Sequence, residues 1–328
     1  MGIIFQGALP ARFRRERVLI VGCGDVGLRA ARELGAGRRA RLLALTSSPE
    51  RHDALRSAGI VPLAGNLDAP ASLRRLAGLA SRVLHLAPPP AGETGNWWLD
   101  GRTRALTRVL ALRGRPLSLV YGSTSGVYGD RAGAWVRETD ALQAQSPRAL
   151  RRVDAEAAVR WLGRAFGVRC TTLRIPGIYA HDRAGGPRDR LLRGTPVLRV
   201  EDDVFTSHIH ADDLARACVR ALWQGRAQRC LNVADDTELR MGDYFDVAAD
   251  LFGLPRPPRL ARDAAREQLP VSLLSFMNES RRLRNDRLKA ELRLRLRYPT
   301  VAEGLCAQAA GRTQVPPPGT RVASSQAR

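Results

Sequence analysis

The sequence predicts an α/β architecture, a doubly wound parallel sheet followed by a smaller C-terminal lobe. Three observations carry that expectation: a glycine-punctuated strand-to-helix crossing near the N-terminus, a strand–helix alternation sustained up to Pro176, and a change of rhythm beyond it. The crossing is RVLIVGCGDVGLRAAREL, Arg17–Leu34. Val18-Leu19-Ile20-Val21 is an apolar run, short enough for a buried strand. Gly22, Gly24 and Gly27 follow in G-x-G-x-x-G spacing, and Leu28–Leu34 reads as a helix that packs through Ala30, Ala31 and Leu34. Gly22 permits a sharp exit from the strand. Gly24, without a Cβ, lets a pyrophosphate approach the backbone, and Gly27 lets helix and strand pack closely. The helix N-terminus adds free N–H groups and a positive dipole end. A strand before and a helix after are the context that makes this pattern a Rossmann-type dinucleotide site. The competing reading is a tight turn in another α/β protein. Asp25 and Val26 lie between the glycines and count among the cofactor-contacting positions. The Asp25 carboxylate would repel an anion, so it is expected to point outward or to cap the helix.

The remaining elements follow in order. Residues 1–16 read as a flexible leader, and 17–176 as the dinucleotide-binding domain. Ala40–Leu45 is the second strand and ends in Thr46-Ser47-Ser48-Pro49-Glu50-Arg51. An NAD site usually places an acidic residue here for the ribose hydroxyls; Thr46, Ser47 and Arg51 would instead welcome a 2′-phosphate, so NADP is preferred and NAD allowed. Arg51 can equally be a surface arginine on the next helix. Pro49–Ala58 is that helix, Ile60–Ala64 the third strand, Ala69–Leu79 helical, and Arg82–Ala87 the fourth strand, stopped by Pro88-Pro89-Pro90. Gly92–Gly95 is a flexible tip. Trp97 and Trp98 lead into a helix that runs to about Leu112, and they read as packing residues rather than a substrate platform. Leu117–Tyr121 is strand five, Ser146–Phe166 a helix and Arg169–Ile175 strand six. Residues 177–305 form a substrate lobe, with 206–234 returning to the first domain. Within it Gly185–Pro196 is loop-like and basic, Ile209–Trp223 is a helix opened by Asp212 and Asp213, and Cys230–Ala234 is a strand. Met241–Phe252 is amphipathic and Arg281–Leu292 is a late helix. Residues 306–328 read as a disordered tail.

Composition narrows the function. A chain of 328 residues has ample core for one large domain or two intimate ones. No apolar run approaches a membrane span, and the N-terminal stretch carries no signal-peptide h-region, so a cytoplasmic location is expected. Five scattered cysteines, with no C-x-x-C, fit a reducing compartment and no zinc ribbon. The net charge of +21 invites nucleic acid as a partner. Lys289 is the only lysine, however, the arginines are spread evenly, and no aromatic ladder accompanies them. A small-molecule substrate is the expected partner. His208 and His210 alternate beside Asp212 and Asp213, a pairing weighed as a metal site, but no metal is expected.

With these residues in view, the chain resembles the short-chain dehydrogenase/reductase superfamily, and within it atypical members of the NAD(P)-dependent epimerase/dehydratase branch. The resemblance spans about Arg17 to Leu305. It rests on the glycine turn, Val83-Leu84-His85-Leu86-Ala87, Ser123-Thr124-Ser125-Gly126-Val127-Tyr128-Gly129, Leu173-Arg174-Ile175-Pro176-Gly177-Ile178-Tyr179 and His208-Ile209-His210-Ala211-Asp212-Asp213. It implies that adenine rests against Asn66 and Leu67, that Ala87 and Pro88 pass near the ribose and nicotinamide, and that Thr124 takes the catalytic Ser/Thr position between Ser123 and Ser125. A turn whose hydroxyls merely satisfy backbone groups is the alternative. It also implies a helix N-cap at Asp212 or Asp213 and a homodimer through the helices flanking strand five.

One departure concerns chemistry. The family places Tyr and, four residues later, Lys on one helix face; here those positions are Arg148 and Arg152. Arginine supplies charge and a bidentate fork but releases no proton at neutral pH. Arg148, Arg151 and Arg152 can also be a solvated face. Tyr128 and Tyr179 are the candidate replacement phenols at the expected mouth of the site, though each can be a packing residue. A second departure is Thr206, where relatives acting on nucleotide sugars carry Arg; Arg183, Arg188, Arg190 and Arg193 could bind an anionic substrate, though a solvated loop is the favoured reading of them. Two readings stand: an NAD(P)-dependent oxidoreductase or epimerase/dehydratase-like enzyme with an altered proton relay, and a catalytically impaired NAD(P)-sensing regulator. A nucleic-acid binder is a distant third.

Overall fold

A computed structural model describes residues 16–35, 40–90, 96–270, 273–274 and 277–309. Of the leader expected over residues 1–16, residues 1–15 lie outside the described residues and Glu16 opens the first strand; the tip at 92–95 and the tail from 310 also lie outside them.

The centre is a parallel sheet. Its strands are β1 (Glu16–Val21), β2 (Ala40–Thr46), β3 (Val61–Ala64), β4 (Arg82–His85), β5 (Ser118–Thr124), β7 (Arg169–Ile175) and β12 (Arg229–Asn232), in spatial order β12-β7-β5-β4-β1-β2-β3. The order reverses between β1 and β4, where the glycine crossing leaves β1, and this is the switch point at which such sheets bind ligands. Every pairing in the sheet is parallel. Alternating side chains divide the core into two layers. Val18, Ile20, Leu42, Ala44, Leu84 and Val120 pack with Ala30, Ala31 and Leu34 of α1 (Asp25–Gly35) and with Leu214, Ala217, Cys218 and Ala221 of α6 (Ala211–Gln224). Leu19, Val21, Leu43, Leu45, Val83, Leu119 and Tyr121 face the other way. They meet Leu106 and Leu110 of α3 (Gly101–Leu112) and Ala155, Val159 and Leu162 of α4 (Pro147–Phe166).

α4 has clear punctuation. Ser146 Oγ accepts from Ala149 N at 3.3 Å, Pro147 opens the first turn, and Gly167 closes the helix at φ 71°. A second body of apolar side chains belongs to the lobe. It joins Leu191 of α5 (Pro187–Leu192), Val197 and Leu198 to Met241, Tyr244, Phe245 and Ala248 of α7 (Met241–Phe252). The strands β8 (Gly177–Tyr179) and β11 (His208–His210) pair in parallel beneath it.

Several expectations are corrected. Only Pro70–Leu76 of the stretch 69–79 is helical, as a 3₁₀ run, and Gly78 at φ 73° turns the chain away. The helix after Trp98 starts at Gly101, because Asp100 caps it by accepting from Thr103 N at 3.0 Å. Trp97 and Trp98 are 44% and 47% exposed, so they are not packing residues. The stretch 185–196 holds the short helix α5. Only Asp286–Leu292 of the late segment is helical; Arg282–Leu283 instead pairs with β6 (Trp135–Val136), and Arg282 lies over the rings of Trp135 and Phe205. The N-cap of α6 is His210, whose Nδ1 accepts from Asp212 N at 3.2 Å. Asp213 is buried and accepts from the backbone N–H groups of Arg297 and Tyr298. Residues 306–309 continue the helix Val301–Ala309 rather than beginning a tail. Among the described residues no helix is long and apolar enough to cross a membrane.

Candidate functional site

A cavity of about 890 Å³ opens at the C-terminal edge of the sheet. Its floor is the glycine turn. Gly22 sits at φ 89°, and a Cβ there would fall 2.2 Å from the Ala87 backbone nitrogen, so β1 and the segment after β4 can touch only through a glycine. A Cβ on Gly27 would meet Gly22 O at 3.0 Å, whereas one on Gly24 would meet nothing within 4 Å. Gly24 therefore leaves space exactly where backbone approach is wanted, and the first N–H groups of α1 have no partner within the helix. These residues fit the pyrophosphate of a dinucleotide. Asp25 is held aside: Arg29 Nε reaches its Oδ1 at 2.8 Å and Arg183 takes its Oδ2. The Cys23 thiol between the glycines is buried, which pushes its pKa up to about 11 and keeps it protonated.

The other cofactor positions divide. Val26 and Ser123 line the cavity with the glycines. Leu86, rather than Ala87 or Pro88, lines it after β4; Ala87 is buried against the glycine turn and donates from N to Val21 O at 3.0 Å. Thr46, Ser47, Arg51, Asn66 and Leu67 follow β2 and β3 and are outside the cavity wall. Arg51 nevertheless touches the turn, donating from Nη2 to Cys23 O at 2.5 Å. Thr46 Oγ1 accepts from Ser48 N, and Asn66 Oδ1 accepts from Asp68 N, so both side chains order their own loops.

The catalytic corner is built by the end of β5 and one face of α4. Thr124 and Ser125 line the cavity. Thr124 Oγ1 accepts from Gly126 N at 3.3 Å, and Ser125 Oγ accepts from Arg281 Nη2 at 3.5 Å. Ser123 Oγ donates to Glu156 Oε1 at 2.6 Å. Arg148, Arg151 and Arg152 all line the cavity; Arg151 and Arg152 are buried and so form no solvated face, whereas Arg148 is exposed. Arg152 Nη1 donates to Gly122 O at 2.6 Å and to the Tyr121 hydroxyl at 3.0 Å. Arg151 reaches out to Trp97 O and Pro90 O.

Neither expected phenol reaches the mouth. The Tyr128 hydroxyl donates to Asn232 Oδ1 at 2.7 Å and accepts from Arg174 Nη1 at 2.9 Å, and burial pushes its pKa up to about 12. Tyr179 is buried in the lobe core, donates to Thr300 O at 3.2 Å and is likewise pushed up by burial. Their order is structural: Arg174 and Glu156 form a buried ion pair at 2.8 Å, and Ser123, Tyr128 and Asn232 complete its hydrogen bonds. No local spacing could have revealed this network, since Glu156 lies on α4 and its partners Ser123 and Arg174 lie on β5 and β7. Arg281 carries no local signal, because its partners Ser125 and Gly129 lie more than a hundred residues earlier.

The lobe closes the cavity with Arg190, His208, Tyr244, Phe245 and Arg281. The His208 ring stacks on Tyr244 at 3.9 Å and 11°. Burial, followed by the nearby Arg190 charge, pulls its pKa to about 3, so the imidazole is neutral at pH 7. His210 is occupied as a helix cap, and no group of three or more His, Cys, Asp or Glu among the described residues is arranged to hold a metal ion.

Comparison with known proteins agrees with this fold. The family model described as "NAD dependent epimerase/dehydratase family" matches residues 18–234. A conserved protein of unknown function from Silicibacter pomeroyi is 29% identical, with TM-score 0.74 over 91% of this chain and all of its own. UDP-glucose 4-epimerase from Thermotoga maritima, solved with UDP-glucose, is 17% identical, with TM-score 0.71 over 88% of this chain and 96% of that one. A dTDP-glucose 4,6-dehydratase from Streptomyces venezuelae, solved with NAD, is 20% identical, with TM-score 0.73 over 90% and 96%. No curated protein matches the chain.

Proposed function

The chain belongs to the NAD dependent epimerase/dehydratase family, and from that premise we propose that it is an NAD(P)-dependent oxidoreductase or epimerase/dehydratase-like enzyme acting on a small molecule. The observation that carries this reading is the shared cavity: Gly24, bare toward the space, faces the same volume as Thr124, Ser125 and the Arg148/Arg152 face. Gly22, Gly24 and Gly27 would hold the pyrophosphate, and a nicotinamide bound there supplies or accepts hydride. NADP is the preferred form. The two residues directly after β2, Ser47 and Ser48, carry hydroxyls rather than a carboxylate, and Arg51 sits over the turn through its bond to Cys23 O.

The residues of the corner then have separate tasks. Thr124 orients a substrate oxygen. Arg152, fixed by Gly122 O and the Tyr121 hydroxyl, brings a permanent positive charge that stabilises an oxyanion as it develops. Arg148, one turn earlier on the same face, adds to that field. Neither arginine gives up a proton at neutral pH, so proton exchange with the substrate oxygen falls to water admitted by the cavity.

The experiment has two stages. NAD, NADH, NADP and NADPH are compared by thermal shift, and the melting temperature is expected to rise most with an NADP form. NADPH oxidation is then followed over a panel of small aldehydes and ketones. Turnover above the uncatalysed rate supports the enzyme. A thermal shift without turnover on any carbonyl favours the second reading, an NAD(P)-sensing protein, which draws on the burial of Tyr128 and Tyr179 away from the cavity.

A further inference from the structure

Three buried guanidinium groups meet carboxylates, and the half-buried Arg190 of the lobe does not. Arg29 meets three aspartates, Asp25, Asp182 and Asp212, at 2.8, 2.5 and 2.6 Å. Arg82 meets Glu16 at 2.7 Å, and Arg174 meets Glu156 at 2.8 Å. Arg190 lines the cavity at the lobe end. Its Nε and Nη2 are buried, and neither has a hydrogen-bond partner among the described residues. The guanidinium lies 4.3 Å over the Phe245 ring, which holds its plane but satisfies none of its N–H groups. A charge withdrawn from water without a partner is costly, and the cost is offset when an opposite charge arrives.

Nε and Nη2 share one edge of the guanidinium, the edge that takes two coplanar oxygens in parallel N–H···O bonds. Among the described residues, no carboxylate that lines the cavity is free to compete for it. The carboxylates that line the cavity, Asp25 and Glu279, are already paired, Asp25 with Arg29 and Arg183, and Glu279 with Arg281 at 2.6 Å. Beside Arg190 the wall is finished by His208, which is neutral and whose Nδ1 also has no partner among the described residues, and by Tyr244 stacked upon it.

We infer that Arg190 is the anchor for an oxyanion on the substrate, a carboxylate or a phosphate ester, docked against the His208–Tyr244 wall. The inference rests on the reading of this cavity as the site of NAD(P)-linked chemistry and names the class of molecule processed there. Arg190 is accordingly a specificity-determining residue, placed at the lobe end of a cavity whose opposite floor is the glycine turn.

The test is isothermal titration of the full-length chain at fixed ionic strength with inorganic phosphate, with malonate and with neutral malonamide. Each is titrated into the wild type, Arg190→Met and Arg190→Lys. Saturable binding of malonate or phosphate is expected, with malonamide inert. Affinity falls about ten-fold or more in Arg190→Met and by a smaller factor in Arg190→Lys, since a charge-assisted bidentate contact is lost in both and the charge is kept in the second. Preference for malonate identifies a carboxylate, and preference for phosphate a phosphate ester. Equal affinity in wild type and Arg190→Met places the anion elsewhere, the glycine turn included, and overturns the inference; so does the failure of both anions to bind. If Arg190→Met does not fold, as read from its melting transition, Arg190→Lys decides by the same comparison. NADPH binding to the wild type is measured in parallel. Its absence would overturn the cofactor reading while the anion result is scored independently.

Discussion

The glycine turn and the α4 face border one cavity, yet they follow different logic. The turn works through backbone: what matters at Gly22, Gly24 and Gly27 is a missing Cβ, which lets Gly22 and Gly27 pack closely and leaves open space at Gly24. The α4 face works through side chains, and there Arg148 and Arg152 stand where the resemblance implies a tyrosine and a lysine. On the proposed reading, a floor made of main chain keeps its pattern while the side chains above it differ. The difference teaches that cofactor affinity and competence in proton transfer would be separable on such a fold.

The strongest way to break the comparison is to disturb what supports the corner. Glu156→Ala strands the Arg174 charge in the core, and Ser123 and Tyr128 lose their ordered partners. Removal of one member of such a pair destabilises by about 3–5 kcal/mol, to be read by chemical denaturation. A stability change under about 1 kcal/mol would mean that the network does not hold the corner together. The comparison is sharpened by restoring the lost pair. Arg148→Tyr with Arg152→Lys is expected to raise carbonyl reduction by roughly a hundred-fold, the lower range for a positioned general acid, and to add a pH-dependent limb to the rate. An unchanged, pH-flat rate would place the chemistry elsewhere in the cavity.

The floor is tested by Gly24→Ala. The new methyl meets no protein atom within 4 Å, so the melting temperature holds while affinity for NADPH, titrated by fluorescence, drops about ten-fold. Loss of affinity and stability together would make Gly24 a folding position instead.

A further expected effect is one of pH. His85 and His208 are buried, and burial leads the causes that hold both near pKa 3 in the fold. Unfolding lets each bind a proton below about pH 6.5, so the unfolded state gains protons and stability falls as pH drops from 6.5 toward 3, by up to about 1.4 kcal/mol per unit for each histidine. His208→Asn should flatten that acid limb in denaturation experiments between pH 7 and 5. An identical limb would assign the loss to other groups.

The sheet was legible because it is written locally. Val18–Val21, Leu42–Leu45 and Leu119–Tyr121 are runs whose period and flanks name their own structure. The glycine crossing is equally self-contained. The corner was legible only by position: Arg148 and Arg152 were marked by their spacing, but that Arg152 would lie against Tyr121 and Gly122 depends on the packing of α4 on β5. Tyr128 and Tyr179 misled because a phenol near a motif reads alike whether it faces solvent or a buried guanidinium. Arg190, Tyr244 and Arg281 come to the cavity from three segments that no sequence period connects. Capping of α6 by His210 instead of an aspartate escaped for a related reason, since Asp213 is claimed by the distant N–H groups of Arg297 and Tyr298.

Arg29 binds Asp25 one turn behind it, Asp182 in the segment after β8, and Asp212, 183 residues downstream. A single side chain thus ties the first helix to parts of the polypeptide synthesised much later. Until Asp182 and Asp212 have been added to the growing chain, Arg29 has only Asp25 to meet, and a fragment that stops short of Asp182 would carry the glycine signature without these two longer ties.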